Sequence, residues 1–255
     1  MLEHYFVEMG EGFPLILLHG NGEEHGYFAN QMEPFSAARR VIALDSRGHG
    51  RTPRGDAPFT LRQFAEDLLA FMDARGLEKA DLLGFSDGAN VAMLFALAHP
   101  ERVGRLVLNG GNLDASGIKR TTQLPIEIGY RIARFFARWS PKARANAEML
   151  RLMVDDPAIP AADLAKISSP TLVVAGTDDM VKESHTRLIA GKIPGAKLAI
   201  VKGDHFVANR NPDEFNRVVM DFLGIRSQVS VRSIRCAPDI EKGSGREPFS
   251  LSLSL

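Results

Sequence analysis

Short, predominantly apolar runs recur along the chain at residues 14–18, 40–44, 80–84 and 105–109, and stretches of helical character separate them. A run of four to eight apolar residues without alternation suits a strand buried on both faces. Such strands belong to parallel sheets, whose crossover helices cover either side. Helices are read over about 26–38, 60–75 and 88–98. This βαβ rhythm predicts an α/β fold built on a mostly parallel, doubly wound sheet. Ligands of such sheets bind beyond the carboxyl ends of the strands, so chemistry is sought in the loops that follow the runs.

After Asn109-Gly110-Gly111 the rhythm stops, and no strand-like run intervenes until Thr171. Ile128, Ile132, Phe135, Phe136 and Trp139 recur at helical spacing, with Met149, Leu150, Leu152 and Met153 beyond them. Residues 112–169 are therefore expected to form a small helical cap inserted into a core of residues 1–111 and 170–225. Most of the cap's apolar side chains are expected to pack onto that core rather than line a pocket. Two further buried strands are read at Thr171 to Ala175 and Leu198 to Val201. Beyond Gly224 the chain turns to Ser, Gly and charge and closes on a Ser/Leu alternation, so residues 226–255 are expected to be a disordered tail.

The run at 80–83 leads into Gly84-Phe85-Ser86-Asp87-Gly88 and then a helix. A G-x-S-x-G turn between strand and helix presents the serine hydroxyl at a strained corner, where a histidine can take its proton. The other parts follow other strands. His19-Gly20-Asn21-Gly22 closes the first run, and its amide at Asn21, with that of Asp87, is placed to bind an oxyanion. Asp178 and Asp179 follow the strand at 171–175, and His205 follows the strand at 198–201. One carboxylate suffices to orient the imidazole and stabilise its cation. Asp178 therefore remains an alternative acid, left otherwise to cap a helix or meet solvent. His205 is the candidate base because it alone among the seven histidines follows the last strand. His4, His25, His99 and His185 are expected on the surface.

With its H-G-x-G loop at His19, the loop Asp45-Ser46-Arg47-Gly48-His49-Gly50, the elbow at Ser86, the acid loop and Gly203-Asp204-His205, the chain resembles an α/β-hydrolase. The resemblance is to the small-cap esterase, lactonase and biphenyl-hydrolase-like type, and runs from about Tyr5 to Gly224. It implies a serine hydrolase of small carboxylic esters with Ser86, Asp179 and His205 as its triad, the family's spacing favouring Asp179 over Asp178. Lactone hydrolysis, perhydrolysis and carbon–carbon bond hydrolysis use the same parts, and a non-catalytic ligand-binding member would share the fold. It also implies that His19 and His49 bond loop backbone into shape. The family opens with two strands before the oxyanion loop, whereas only His4 to Glu8 is available here, so the outermost strand is expected to be missing.

Composition excludes several other classes. Lys plus Arg and Asp plus Glu both number 31, which implies no attraction of the whole chain to nucleic acid or to an anionic membrane. No H-E-x-x-H, paired Cys or dinucleotide fingerprint is present, so neither a metal nor a cofactor is expected. The start lacks a signal-peptide pattern and no apolar run approaches the ~20 residues of a membrane span, so the expectation is a cytoplasmic protein, monomer or homodimer, whose partner is a small-molecule ester. Glu23, Glu24 and Asp87 are read as carboxylates at the pocket mouth, where they would select neutral or cationic substrates over anions.

Overall fold

The computed structural model describes residues 2–225, so the expectation for the tail lies outside the described residues. Seven strands form one sheet: β1 (Phe6–Met9), β2 (Pro14–Leu18), β3 (Arg40–Leu44), β4 (Ala80–Phe85), β5 (Val103–Asn109), β6 (Thr171–Asp178) and β7 (Lys197–Asp204). Their spatial order is β1-β3-β2-β4-β5-β6-β7. Only β1 runs antiparallel, pairing Phe6 with Leu44 and Met9 with Val41 at the sheet edge. β1 is the single described strand ahead of β2 and forms one edge of the sheet.

The apolar runs are continuous because both faces of the sheet are covered. Ile16, Leu18, Ile42 and Leu44 point to one side, where α2 (Leu61–Ala74) and α3 (Asp87–Ala98) bring Phe64, Leu68, Met72 and Phe95. Leu15, Leu17, Val41 and Ala43 alternate to the other side, against Phe28, against Phe35 of α1 (Ala29–Ser36) and against Phe215 and Leu223 of α8 (Pro212–Leu223). Burying one such side chain contributes about 1.5–3 kcal/mol, which makes these two layers the main stabilising element. Thr60 starts α2 by accepting from the Gln63 amide, and Arg47 clamps the loop after β3 onto α2 through two bonds to Asp67, at 2.6 and 2.7 Å.

Between β5 and β6 lie α4 (Arg120–Phe136) and α5 (Pro141–Asp155), packed on each other. One expectation is corrected here. Ile128, Ile132, Phe135, Phe136 and Trp139 do not pack onto the core; they are exposed, Trp139 at 60%. The residues that α4 buries are Gln123 and Ala133, with the Gln123 side-chain amide donating to the Met153 carbonyl, while the half-buried Gly129 lies near Leu150. Periodicity identified an apolar stripe correctly and assigned it the wrong neighbour.

α6 (Glu183–Lys192) and the short α7 (Val207–Arg210) complete the framework, one after the acid loop and the other directly after His205.

Candidate active site

β4 ends at Phe85 and α3 begins at Asp87, leaving Ser86 to turn the chain alone. It does so at φ 53° and ψ −119°, a conformation that costs a non-glycine residue about 1–3 kcal/mol and persists only where the surroundings impose it. The surroundings are the two glycines of the motif. A Cβ on Gly84 would collide with the Gly88 carbonyl, and one on Gly88 with the Leu18 carbonyl, so only glycine lets β4, α3 and the end of β2 approach so closely. The same approach brings the loop after β2 to the elbow, since a Cβ on Gly20 would lie 3.1 Å from that of Ser86. Among the described residues neither the Asn21 nor the Asp87 backbone amide donates a hydrogen bond, and that of Asp87 stands at the positive end of α3.

The acid and the base meet. His205 Nδ1 lies 2.7 Å from Asp179 Oδ1, and both side chains are buried. Burial alone would raise the Asp179 pKa. The bond to His205 and its charge, with the Val181 and Gly176 amides, outweigh that and hold the carboxyl below the usual carboxylate range. Asp178 points outward instead, its carboxylate 3.0 Å from Lys119 Nζ. His205 Nε2 is buried and makes no hydrogen bond with a described residue, the Ser86 hydroxyl included. Catalytic hydrogen bonds are often loose in a free enzyme and tighten on substrate binding, so the geometry leaves a proton acceptor available beside the elbow. Gly110, which the sequence marked only as the end of a rhythm, forms the floor of this pair. At φ +64° it presents no Cβ; one added there would stand 2.7 Å from His205 Cε1. Phe85 and Tyr27 complete the wall, stacked 4.2 Å apart with the imidazole 4.8 Å from the Phe85 ring.

The remaining histidines divide. His19 donates from Nδ1 to the Gly20 carbonyl and accepts the Ser46 amide at Nε2, fastening two loops together. Burial and the neighbouring His49 push its pKa down to about 4, so it stays neutral in that role. His49 holds the Arg47 carbonyl. His25 bonds the buried Asp45 at 2.8 Å, and His185 accepts the Leu113 amide. His4, expected on the surface, is buried against Phe71. Glu24, His25 and Asp45 stand close enough together to hold a metal ion, but Asp45 already accepts from the His25 and Arg51 amides, which accounts for its burial.

The three carboxylates read as a charged mouth also divide. Glu24 is exposed and Glu23 half-buried, its pKa raised by burial and drawn back by His205. Asp87 is only 9% exposed, so its expected place at the mouth is corrected. The reason is local: as the first residue of α3 it turns inward, with Asn90 Nδ2 3.4 Å from Oδ1, while Oδ2 has no partner and borders a cavity of about 10 Å³ with His19, His49 and Leu152. Desolvation raises its pKa to about 6 despite the side-chain amides of Asn21 and Asn90 nearby. The Asn90–Asn112 bonds beside it join α3 to the start of the helical insertion, and sequence reasoning gave no sign of them.

Comparison with known proteins agrees with this framework. Residues 14–148 match the family model described as alpha/beta hydrolase fold. A protein of Caulobacter sp. (strain K31) named "Putative carbamate hydrolase RutD" is 33% identical over 246 residues, covering 82% of this chain and 90% of its own length. The 2-hydroxy-6-oxo-6-phenylhexa-2,4-dienoate hydrolase of Comamonas testosteroni is 31% identical, over 86% of this chain and 90% of its own. Among solved structures, the enol-lactonase from Burkholderia xenovorans LB400 superposes with a TM-score of 0.74 at 22% identity, covering 88% of this chain and 97% of its own, a likeness of fold. The chain thus belongs to the α/β-hydrolase fold family and is a hydrolase.

Proposed function

We propose that the protein cleaves small-molecule carboxylic esters through an acyl-enzyme formed on Ser86. The observation that carries this reading is the buried Asp179–His205 pair, whose free Nε2 opens beside a serine held at positive φ. Ser86 Oγ attacks the acyl carbon as His205 accepts its proton, and the backbone amides of Asn21 and Asp87 bind the oxyanion. His205 then protonates the departing alkoxide, and water enters by the reverse sequence to release the acid and restore Ser86. Asp179 keeps the imidazole in the tautomer that leaves Nε2 free to accept. Ser86→Ala removes the nucleophile and leaves the core untouched, so it is expected to melt like the wild type and turn over no p-nitrophenyl ester; turnover at the wild-type rate would exclude the scheme.

Carbamates are a second reading, which the name of the Caulobacter relative favours. Attack on a carbamoyl carbon needs the same nucleophile, base and oxyanion donors, and lactones, peracid formation and carbon–carbon cleavage differ only in what leaves or what enters. Selection by charge rests on Glu23, the carboxylate whose pKa His205 perturbs, with Glu24 outside it. A panel of matched cationic, neutral and anionic esters separates these cases, and a non-catalytic binding role is abandoned if any of them is turned over by the wild type and not by Ser86→Ala.

A further inference from the structure

We propose that α4, prolonged by Trp139, is an interfacial anchor that lays the helical insertion on an anionic lipid surface. At about 100° per residue, Leu124, Phe135, Ile128, Ile132 and Phe136 fall within an arc of about 120°, Trp139 in the turn beyond the helix packs against Phe135, and each of the six is exposed, by 41% at Leu124 and 58% at Phe135. The helix does not need this arc for its own packing, because Gln123 and Ala133, which lie outside it, are buried, and Gln123 and Gly129 make contacts to α5. Three faces result: one buried, one apolar and open, and one basic.

The basic face selects the occupant. Arg131, Arg134 and Arg138 border the apolar arc, Lys142 and Arg144 follow, and residues 128–147 contain no acid. The equality of acids and bases over the whole chain conceals this local excess. Arg138 lies 3.7 Å over the Trp139 ring, and Phe135 packs edge-on against both Phe136 and Trp139, so the aromatic cluster carries cations at its rim. A helix with aromatic and aliphatic residues on one face and arginines alongside suits the boundary between acyl chains and anionic headgroups. A second copy of the chain is a poorer match, since a twofold pairing of this face would bring like arginine flanks together. No described helix is long and apolar enough to cross a membrane, so the mode is adsorption and not insertion across the bilayer.

Trp139 is the chain's one tryptophan, so its emission reports this face alone. The test titrates the full chain with vesicles of phosphatidylcholine alone and of phosphatidylcholine mixed with phosphatidylserine, reading emission wavelength and co-sedimentation. Expected are a blue shift and co-sedimentation with the anionic vesicles only, reversed by high salt. Arg134→Gln with Arg138→Gln should lower the partition coefficient about 25-fold, at about fivefold per lost cation. Phe135→Ala with Phe136→Ala should remove binding while melting temperature and hydrolysis of a soluble ester stay as in the wild type, these side chains touching solvent. Absence of binding to anionic vesicles at low salt would overturn the proposal, as would equal binding to neutral ones or binding that survives both pairs of substitutions. Self-association abolished by Phe135→Ala with Phe136→Ala, without vesicle binding, would reassign the face to a second copy.

Discussion

Asp87 offers a test in which the structure sets both sign and size. Its carboxyl is buried with Oδ2 unpaired, and burial lifts its pKa from the ordinary 3.8 to about 6. The native state therefore holds this proton more tightly than the unfolded chain, and stability must rise as pH falls from about 6 toward 4, then level off. A gap of about two pH units corresponds to about 3 kcal/mol, most of which is developed between pH 7.5 and pH 4. Asp87→Asn removes the titration. The amide brings its own unpaired N–H, but that cost is the same at every pH and cancels when each protein is compared with itself. Urea unfolding at pH 7.5 and at pH 4 should show wild type gaining about 2–3 kcal/mol relative to the variant on acidification, or about 5–10 °C in melting temperature for a chain of this size. Titrating groups that do not interact with Asp87 are shared and drop out of the comparison. Parallel stability curves for the two proteins between these pH values would refute the reasoning and place the Asp87 carboxyl in contact with water.

Gly110→Ala drives a methyl group into the His205 ring at a position of positive φ, so kcat/KM should fall by at least about 100-fold while the circular dichroism spectrum is retained; ester kinetics measure it. Asp179→Asn should lower kcat by about 10⁴, the loss seen when a triad carboxylate no longer selects the imidazole tautomer, whereas Asp178→Asn, at an exposed side chain paired with Lys119, should leave kcat unchanged. Arg47→Ala leaves Asp67 charged and buried without its partner, a loss of about 3–5 kcal/mol read by thermal unfolding.

The strands were legible because a parallel sheet covered on both faces demands nearly uninterrupted apolar residues, and Leu15 through Leu18 or Val41 through Leu44 have no other economical use. Boundaries moved only slightly: β6 runs on to Asp178 and the first helix divides into a short 3₁₀ turn at His25–Phe28 and α1. The loops carrying Ser86, His205 and the paired aspartates were legible for the same reason, since each follows a strand that could be read. What stayed hidden depends on third parties. The stripe on α4 says that one face is apolar and nothing about what lies against it, and Gln123 and Ala133 proved to be the buried side. Asp87 follows the nucleophile in sequence, but whether its carboxyl turns to solvent or inward depends on Asn90 and the neighbouring loops. Gly110 is needed because an imidazole from a strand end almost a hundred residues later rests on it, which no local pattern records.

The proposed chemistry requires Ser86 to be a nucleophile activated by His205. The direct measurement is the rate at which a fluorophosphonate labels the full chain, with the modified residue located by peptide mass, in the wild type and in His205→Ala. A single adduct on Ser86, formed rapidly by the wild type and slowed by orders of magnitude without the imidazole, is the expected result. An adduct that forms on Ser86 equally fast in both proteins, or none at all in the wild type, would contradict it.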